Sequence, residues 1–93
     1  MVQVVENRAD IDGRVVAVKS DGARPDHRVV TIDVGAAIPV EGYPNLFANA
    51  LGKQLDIVLP KELAEPLPVG TGVRCRIRLA GPATVFGERC ASR

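Results

Sequence analysis

The sequence predicts a mainly β domain, a small antiparallel barrel of five strands with one short helix. Valine, isoleucine, leucine and alanine supply nearly all of the 46% hydrophobic residues, and β-branched residues favour strands. Several short segments alternate between apolar and polar residues, which is the period of a strand with one buried face. Turn-forming residues separate these segments. Closure into a barrel would remove the exposed edges of an open five-stranded sheet.

The first two strands are predicted at residues 11–19 and 28–34, with a loop over residues 20–27 between them. The first strand begins with alternation and then becomes uniformly apolar, which indicates partial cover on both faces. Gly13 within it is a candidate bulge or bend. After the second strand, proline and glycine limit residues 37–40 to at most a short edge strand.

A helix is predicted at residues 44–51, where the hydrophobic period changes. Pro44 suits the first turn of a helix, and Gly52 is placed to end it. The apolar side would contain Leu46, Phe47, Ala50 and Leu51. We expect Phe47 to anchor this helix in the core.

The third strand is predicted at residues 54–59, followed by one helical turn at 60–65, which Pro66 ends. The clearest hairpin comes next, with strands at 72–79 and 83–88 joined near Gly81 and Pro82. Phe86 is expected to help fill the barrel. On this layout, residues 1–93 form a single domain.

In strand number and order this layout resembles an OB-type barrel, a likeness of architecture that indicates no particular family. In such barrels the loop between the first two strands often flanks the ligand face. Here that loop and its edges offer Lys19, Arg24, His27 and Arg28, diluted by Asp21 and Asp26. We favour the interpretation of a solvated loop.

Charge and hydropathy limit the classes of partner. Twelve basic and eleven acidic side chains leave a net charge of +1, unlike proteins that hold duplex DNA mainly through its phosphates. The sequence contains no apolar run long enough for a transmembrane helix and no signal-peptide pattern at its start. We therefore expect a cytoplasmic protein without a membrane partner.

Few residues suit catalysis or metal binding. His27 is the sole histidine and the two cysteines lie far from it in sequence, so no spacing approaches a zinc site. A bridge between Cys75 and Cys90 would need a bulge in the hairpin, and we expect instead a buried Cys75 and an exposed Cys90. Neither a cofactor, a metal nor an enzymatic activity is predicted.

Arginines form the sharpest feature of the sequence. Arg74, Arg76 and Arg78 share one face of a predicted strand and could contact successive phosphates of an extended nucleic acid. The alternative is a solvated face whose arginines pair with carboxylates across neighbouring strands, and this is the interpretation we favour. The candidate carboxylates are Asp12, Asp33, Asp56 and Glu88. Arg14, Arg28 and Tyr43 are the residues that could extend a ligand face.

Two functional hypotheses follow. The first is a noncatalytic module that binds another protein or assembles with itself, because Val16 to Val18 and Ile57 to Leu59 put apolar residues on both faces of their strands. The second is the binding of single-stranded RNA or DNA through the arginine-bearing strand. Fold class cannot choose between them.

Overall fold

A computed structural model describes residues 5–81 and 83–93. The strands in chain order are β1 (Ala9–Ser20), β2 (His27–Pro39), β3 (Gln54–Pro60), β4 (Gly72–Ala80) and β5 (Thr84–Ser92). The sheet closes on itself in the order β1-β2-β3-β5-β4, with β4 paired to β1. The predicted mainly β architecture with five strands is confirmed.

The sheet is antiparallel, as predicted, except at one seam, which makes it a mixed sheet. Strand β3 pairs with β5 in parallel through one residue pair, Val58 and Phe86, whereas the other four strand pairs are antiparallel. Strand direction cannot alternate all the way around a closed ring of five, because the number is odd. One parallel contact is therefore unavoidable, and it falls at the weakest seam of the ring.

The inward-facing residues of all five strands meet in one hydrophobic core. Its largest members that are fully buried and apolar are Ile11, Ile32, Ile57, Leu59 and Ile77. Burial of each such side chain contributes roughly 1.5–3 kcal/mol to the free energy of folding. Phe47 joins them with 5% of its surface exposed, which confirms its predicted role as an anchor.

The pairing of β1 and β2 shifts between Asp12 and Gly13, beside the glycine that the sequence marks as a candidate, but the bulged residue is in β2. Asp12 lies opposite Ala36 but Gly13 lies opposite Val34, so Gly35 is an extra residue in β2. Strand β2 therefore continues through Gly35 to Pro39. The separate short strand expected at residues 37–40 is the end of β2.

The predicted helix at 44–51 is wrong, because only Ala48–Ala50 forms a single 3-10 turn. The Asn45 side chain accepts a hydrogen bond from the Phe47 amide at 2.9 Å, which offers this backbone an alternative to helix. Leu46 and Leu51 are 42% and 56% exposed, so the apolar side expected of a helix is not formed.

A bulge in β5 allows the two cysteines to meet. Ile77 lies opposite Gly87 and Arg76 opposite Arg89, so Glu88 is an extra residue. Cys75 and Cys90 then lie opposite each other and form a disulfide. The expectation of an unpaired Cys75 is therefore wrong. Strand β5 also extends beyond the predicted 83–88; Pro82, part of the predicted turn, lies outside the described residues.

Helix α1 (Lys61–Ala64) connects β3 to the segment before β4. It confirms the predicted helical turn, and the Glu65 amide donates to the Lys61 carbonyl at 3.0 Å. Within the described part of the chain, no helix has the length and apolar character needed to cross a lipid bilayer.

Candidate binding surface on strands β4 and β5

The arginine row lies on the outer face of β4, and carboxylates already bind two of its members. Arg74 donates to both oxygens of Asp12 at 2.6 and 2.8 Å. Arg76 donates to both oxygens of Asp10 at 2.9 and 3.1 Å. Each pair lies directly across the β1–β4 ladder. Cross-strand pairing, the interpretation favoured from the sequence, describes these two arginines.

These contacts change the acid–base behaviour of both partners. The Arg76 hydrogen bond, opposed by partial burial, holds the pKa of Asp10 below its ordinary 3.8. The hydrogen bond from Arg74 does the same for Asp12, which also pairs with Arg93. Both carboxylates therefore stay ionised and keep their arginines occupied at neutral pH.

The third arginine of the row is held differently. Arg78 lies 4.0 Å from a Glu88 oxygen and 5.1 Å from the centre of the Phe86 ring. Arg24, from the β1–β2 loop, lies 5.0 Å from the same ring. Phe86 is half-buried on the outer side opposite Arg78. The expectation that Phe86 fills the barrel interior is therefore wrong.

The other predicted ligand residues are dispersed. Arg14 lies opposite Gly72, beyond the Asp12 end of the row, and donates to the Gly70 carbonyl at 2.6 Å. Tyr43 stacks with Arg8, whose guanidinium carbon lies 5.2 Å from the centre of the Tyr43 ring. Arg28 is on β2, which does not adjoin β4, and it donates to the His27 carbonyl at 3.0 Å.

Asn7 fixes the far end of the row, and no sequence pattern singled it out. It is 1% exposed. Its amide nitrogen donates to the Leu79 and Val5 carbonyls at 3.0 and 2.8 Å, and its oxygen accepts from the Leu79 amide at 2.8 Å. The side chain thus pairs with β4 as a strand backbone would.

A cleft of about 470 Å³ crosses the outer side of β4 and β5 and reaches α1. Three guanidinium groups and one carboxylate line it, and Leu63 and Cys90 contribute apolar surface; the charged residues are Arg74, Arg76, Arg89 and Asp10. Arg89 is exposed, and within the described residues it forms no ion pair. Its charge helps to lower the pKa of Asp10, after the stronger effects of Arg76.

Strand β5 has a strand partner along only part of one edge, and α1 contacts β5. Its ladder to β3 consists of Phe86 opposite Val58 alone, and β3 ends at Pro60. On the other edge, pairing to β4 continues to Ser92, and the Arg93 amide donates to the Gly72 carbonyl at 2.8 Å. Residues 89–92 therefore have a strand neighbour on one side within the part that the structure describes.

A smaller cleft of about 270 Å³ lies between the β1–β2 loop, strand β3 and the start of β5. Val29 and Val58 line it together with Lys19, Arg24, Asp21 and Asp56. Asp21 orders the loop by accepting from the Ala23 amide at 2.9 Å and from Arg24 at 3.0 Å. The mixed charges leave no strongly cationic or anionic site here.

Within residues 5–81 and 83–93, no group of three or more potential metal-ligating side chains occurs together. Both cysteines are in the disulfide, which leaves no free thiol. His27 lies at the start of β2 opposite Pro60, whereas the bridge joins β4 to β5. No protein-family model matches this chain, and no curated protein matches it.

Proposed function

We propose that this chain is a noncatalytic binding module whose ligand is a polypeptide, either another protein or a second copy. The observation that carries the proposal is the open edge of β5 beside the β4–β5 cleft. Open strand edges are templates for pairing with another chain. Charge on the cleft rim is compensated in part and apolar surface is exposed within it, as at many protein interfaces.

An OB-type barrel is the architecture that we propose for the closed sheet. Its support is the ring order β1-β2-β3-β5-β4 and the short helix α1 between the third and fourth strands. Five strands in a Greek-key ring are the defining features of that fold class. The likeness concerns architecture and does not choose the ligand.

Self-assembly has one supporting observation of its own. Val18 is 38% exposed, so part of the surplus apolar surface noted in the sequence remains at the surface, and Val69 before β4 adds a side chain that is 64% exposed. Val58, the other part, is 8% exposed. Light scattering over a wide range of protein concentrations tests this form of the proposal. A constant monomer mass would count against it.

Single-stranded nucleic acid is the second candidate ligand. Its support is the excess of arginines on the outer face of β4 and β5, where Arg89 adds to the row. The carboxylates at Arg74 and Arg76 oppose it, because a phosphate would have to displace them. An oligonucleotide titration at increasing salt tests this candidate, and salt-sensitive binding lost in Arg89→Gln would support it.

The compartment remains a proposal as well. The sequence led us to propose the cytoplasm. Disulfides are rare in reducing compartments, so in the cytoplasm we expect Cys75 and Cys90 to be free thiols. Trapping of free thiols in intact cells tests it. Alkylation of Cys75 and Cys90 would support the cytoplasm, and their protection would indicate an oxidising compartment.

The polypeptide ligand itself is tested by site-specific photo-crosslinking in cells that express the chain. A photoreactive residue replaces Ala91, which is exposed beside the cleft, and in a matched control it replaces Asp33, which is exposed on β2. Protein adducts, including dimers of the chain, at position 91 and not at 33 support the proposal. Adducts at neither position, or adducts to nucleic acid alone, would refute it.

A further inference from the structure

We propose that the open edge of β5 receives an extended acidic peptide as an added strand, with acidic and apolar residues alternating along it. The inference rests on the proposed function, because it names the class of polypeptide that the β4–β5 cleft would bind. Strand addition to a sheet edge is a general mode of peptide recognition, in which backbone hydrogen bonds provide affinity and side-chain pockets provide specificity.

The backbone groups available for this pairing follow from the β4–β5 ladder. The Arg93 amide bonds to Gly72 of β4, and successive amides along a strand point to opposite edges. The amides of Ser92 and Cys90 therefore point away from β4, toward the open edge. Together with their carbonyls they offer two donors and two acceptors to an incoming strand.

The charge at this edge selects an acidic partner. Three arginines and one aspartate line the cleft, and Asp12 outside the lining compensates Arg74, so the positive charge that remains in excess is that of Arg89. Asp10 and Asp12 occupy Arg76 and Arg74, but Arg89 is exposed on β5 itself and forms no ion pair within the described residues. A carboxylate on the added strand can therefore reach Arg89 without displacing an existing ion pair.

Alternation in the partner follows from the two sides of β5. Arg89 and Ala91 are exposed on the outer face, whereas Cys90 is bonded to the buried Cys75. Cys90 and Leu63 of α1 both pack against the core and line the cleft. Side chains of an added strand would alternate between the same two sides. Acidic residues would then lie beside Arg89, and the apolar residues between them would lie toward Leu63.

The test is a titration of isotope-labelled protein with a capped hexapeptide of alternating glutamate and valine, followed by amide chemical shifts. We expect shifts at residues 89–92 and at Leu63. A peptide with lysine in place of glutamate, and one with the glutamates and valines in separate blocks, should bind at least about fivefold more weakly.

Ser92→Pro separates strand addition from charge attraction. It removes the outward amide and keeps every charge, and proline is tolerated on an edge strand where the amide faces solvent. We expect about fivefold or greater loss of peptide affinity. Ser92→Ala keeps the amide and should bind like the unsubstituted protein, and Arg89→Gln should lose affinity for the acidic peptide.

Three results would overturn the inference: no shifts with millimolar peptide, equal affinity of Ser92→Pro and Ser92→Ala, or displacement of the shifts to another face. Oligonucleotide binding at residues 89–92 without peptide binding would overturn it too. The proposed function fails separately, by absence of protein adducts at position 91. Adducts there without peptide binding would leave a polypeptide ligand recognised by other contacts.

Discussion

Replacement of Asn7 by alanine tests whether a side chain completes the β1–β4 pairing. Three hydrogen bonds connect its amide group to the backbone, two of them to Leu79. At about 1 kcal/mol each, their loss should lower the free energy of unfolding by about 3 kcal/mol. In a domain of this size that lowers the melting temperature by roughly 12–24 °C.

The assay is urea unfolding followed by circular dichroism, with Asn45→Ala as the control. The Asn45 side chain accepts one hydrogen bond, from the Phe47 amide, so its loss should cost about 1 kcal/mol. Equal, small losses for both variants would refute the assigned role of Asn7. Amide exchange at Leu79 should accelerate in Asn7→Ala before it does so elsewhere in β4.

Asn7→Asp adds a pH signature to the same test. The aspartate keeps the acceptor for the Leu79 amide but, once ionised, faces the Leu79 and Val5 carbonyls without a donor. Its ionisation is disfavoured in the folded state, so its folded pKa should lie above the unfolded value of about 3.9. Stability of this variant should therefore fall as the pH rises above about 4 and recover in acid.

Three further predictions concern the hairpin, the bulge and the ion pairs. Reduction of the Cys75–Cys90 bridge, which closes a loop with a sequence separation of 15, should lower stability by about 3 kcal/mol in urea unfolding; an unchanged midpoint would contradict this. Gly13→Ala should lower the free energy of unfolding by about 1–3 kcal/mol, because the added methyl would meet backbone atoms of β2. The control Gly35→Ala, where the nearest atom would be 3.6 Å from the added methyl, should unfold like the parent protein. Because the pKa of Asp12 is lowered in the folded state, its ion pairs stabilise the fold above pH 3.8, and this stabilisation is lost as the pH falls through the folded pKa. Arg74→Gln should reduce the dependence of the unfolding free energy on pH in acid. An unchanged dependence would argue against the pair.

The candidate site was only partly predictable. Alternation places Arg74, Arg76 and Arg78 on one face, and the cross-strand rule anticipates Asp12 as a partner. The sequence could not show that Asp10 is the partner of Arg76, because that depends on the β1–β4 register. The sequence also could not show that Arg89 joins the site. Arg89 lies opposite Arg76 because the bulge at Glu88 shifts the pairing of β5 by one residue.

The errors have separate physical causes. The helix at 44–51 was predicted from the local hydrophobic period. The segment is instead set by the hydrogen bond from the Phe47 amide to the Asn45 side chain and by the burial of Phe47 in the core. Phe86 was expected inside the barrel, whereas it lies opposite outward-facing Arg78 and follows the buried Val85. The unpaired Cys75 was expected from a hairpin without a bulge, whereas the extra residue Glu88 brings Cys90 opposite Cys75.

Local chemistry by itself determined the mainly β class and three of the five strands to within two residues at both ends. It also determined the helical turn after Pro60 and the shared face of the arginine row. Tertiary structure alone decided the ring order, the parallel seam between β3 and β5, the Cys75–Cys90 bridge and the open edge of β5. The difference is one of range. Side-chain alternation and turn chemistry act within a few residues, whereas ring closure and register arise between strands that are distant in the chain.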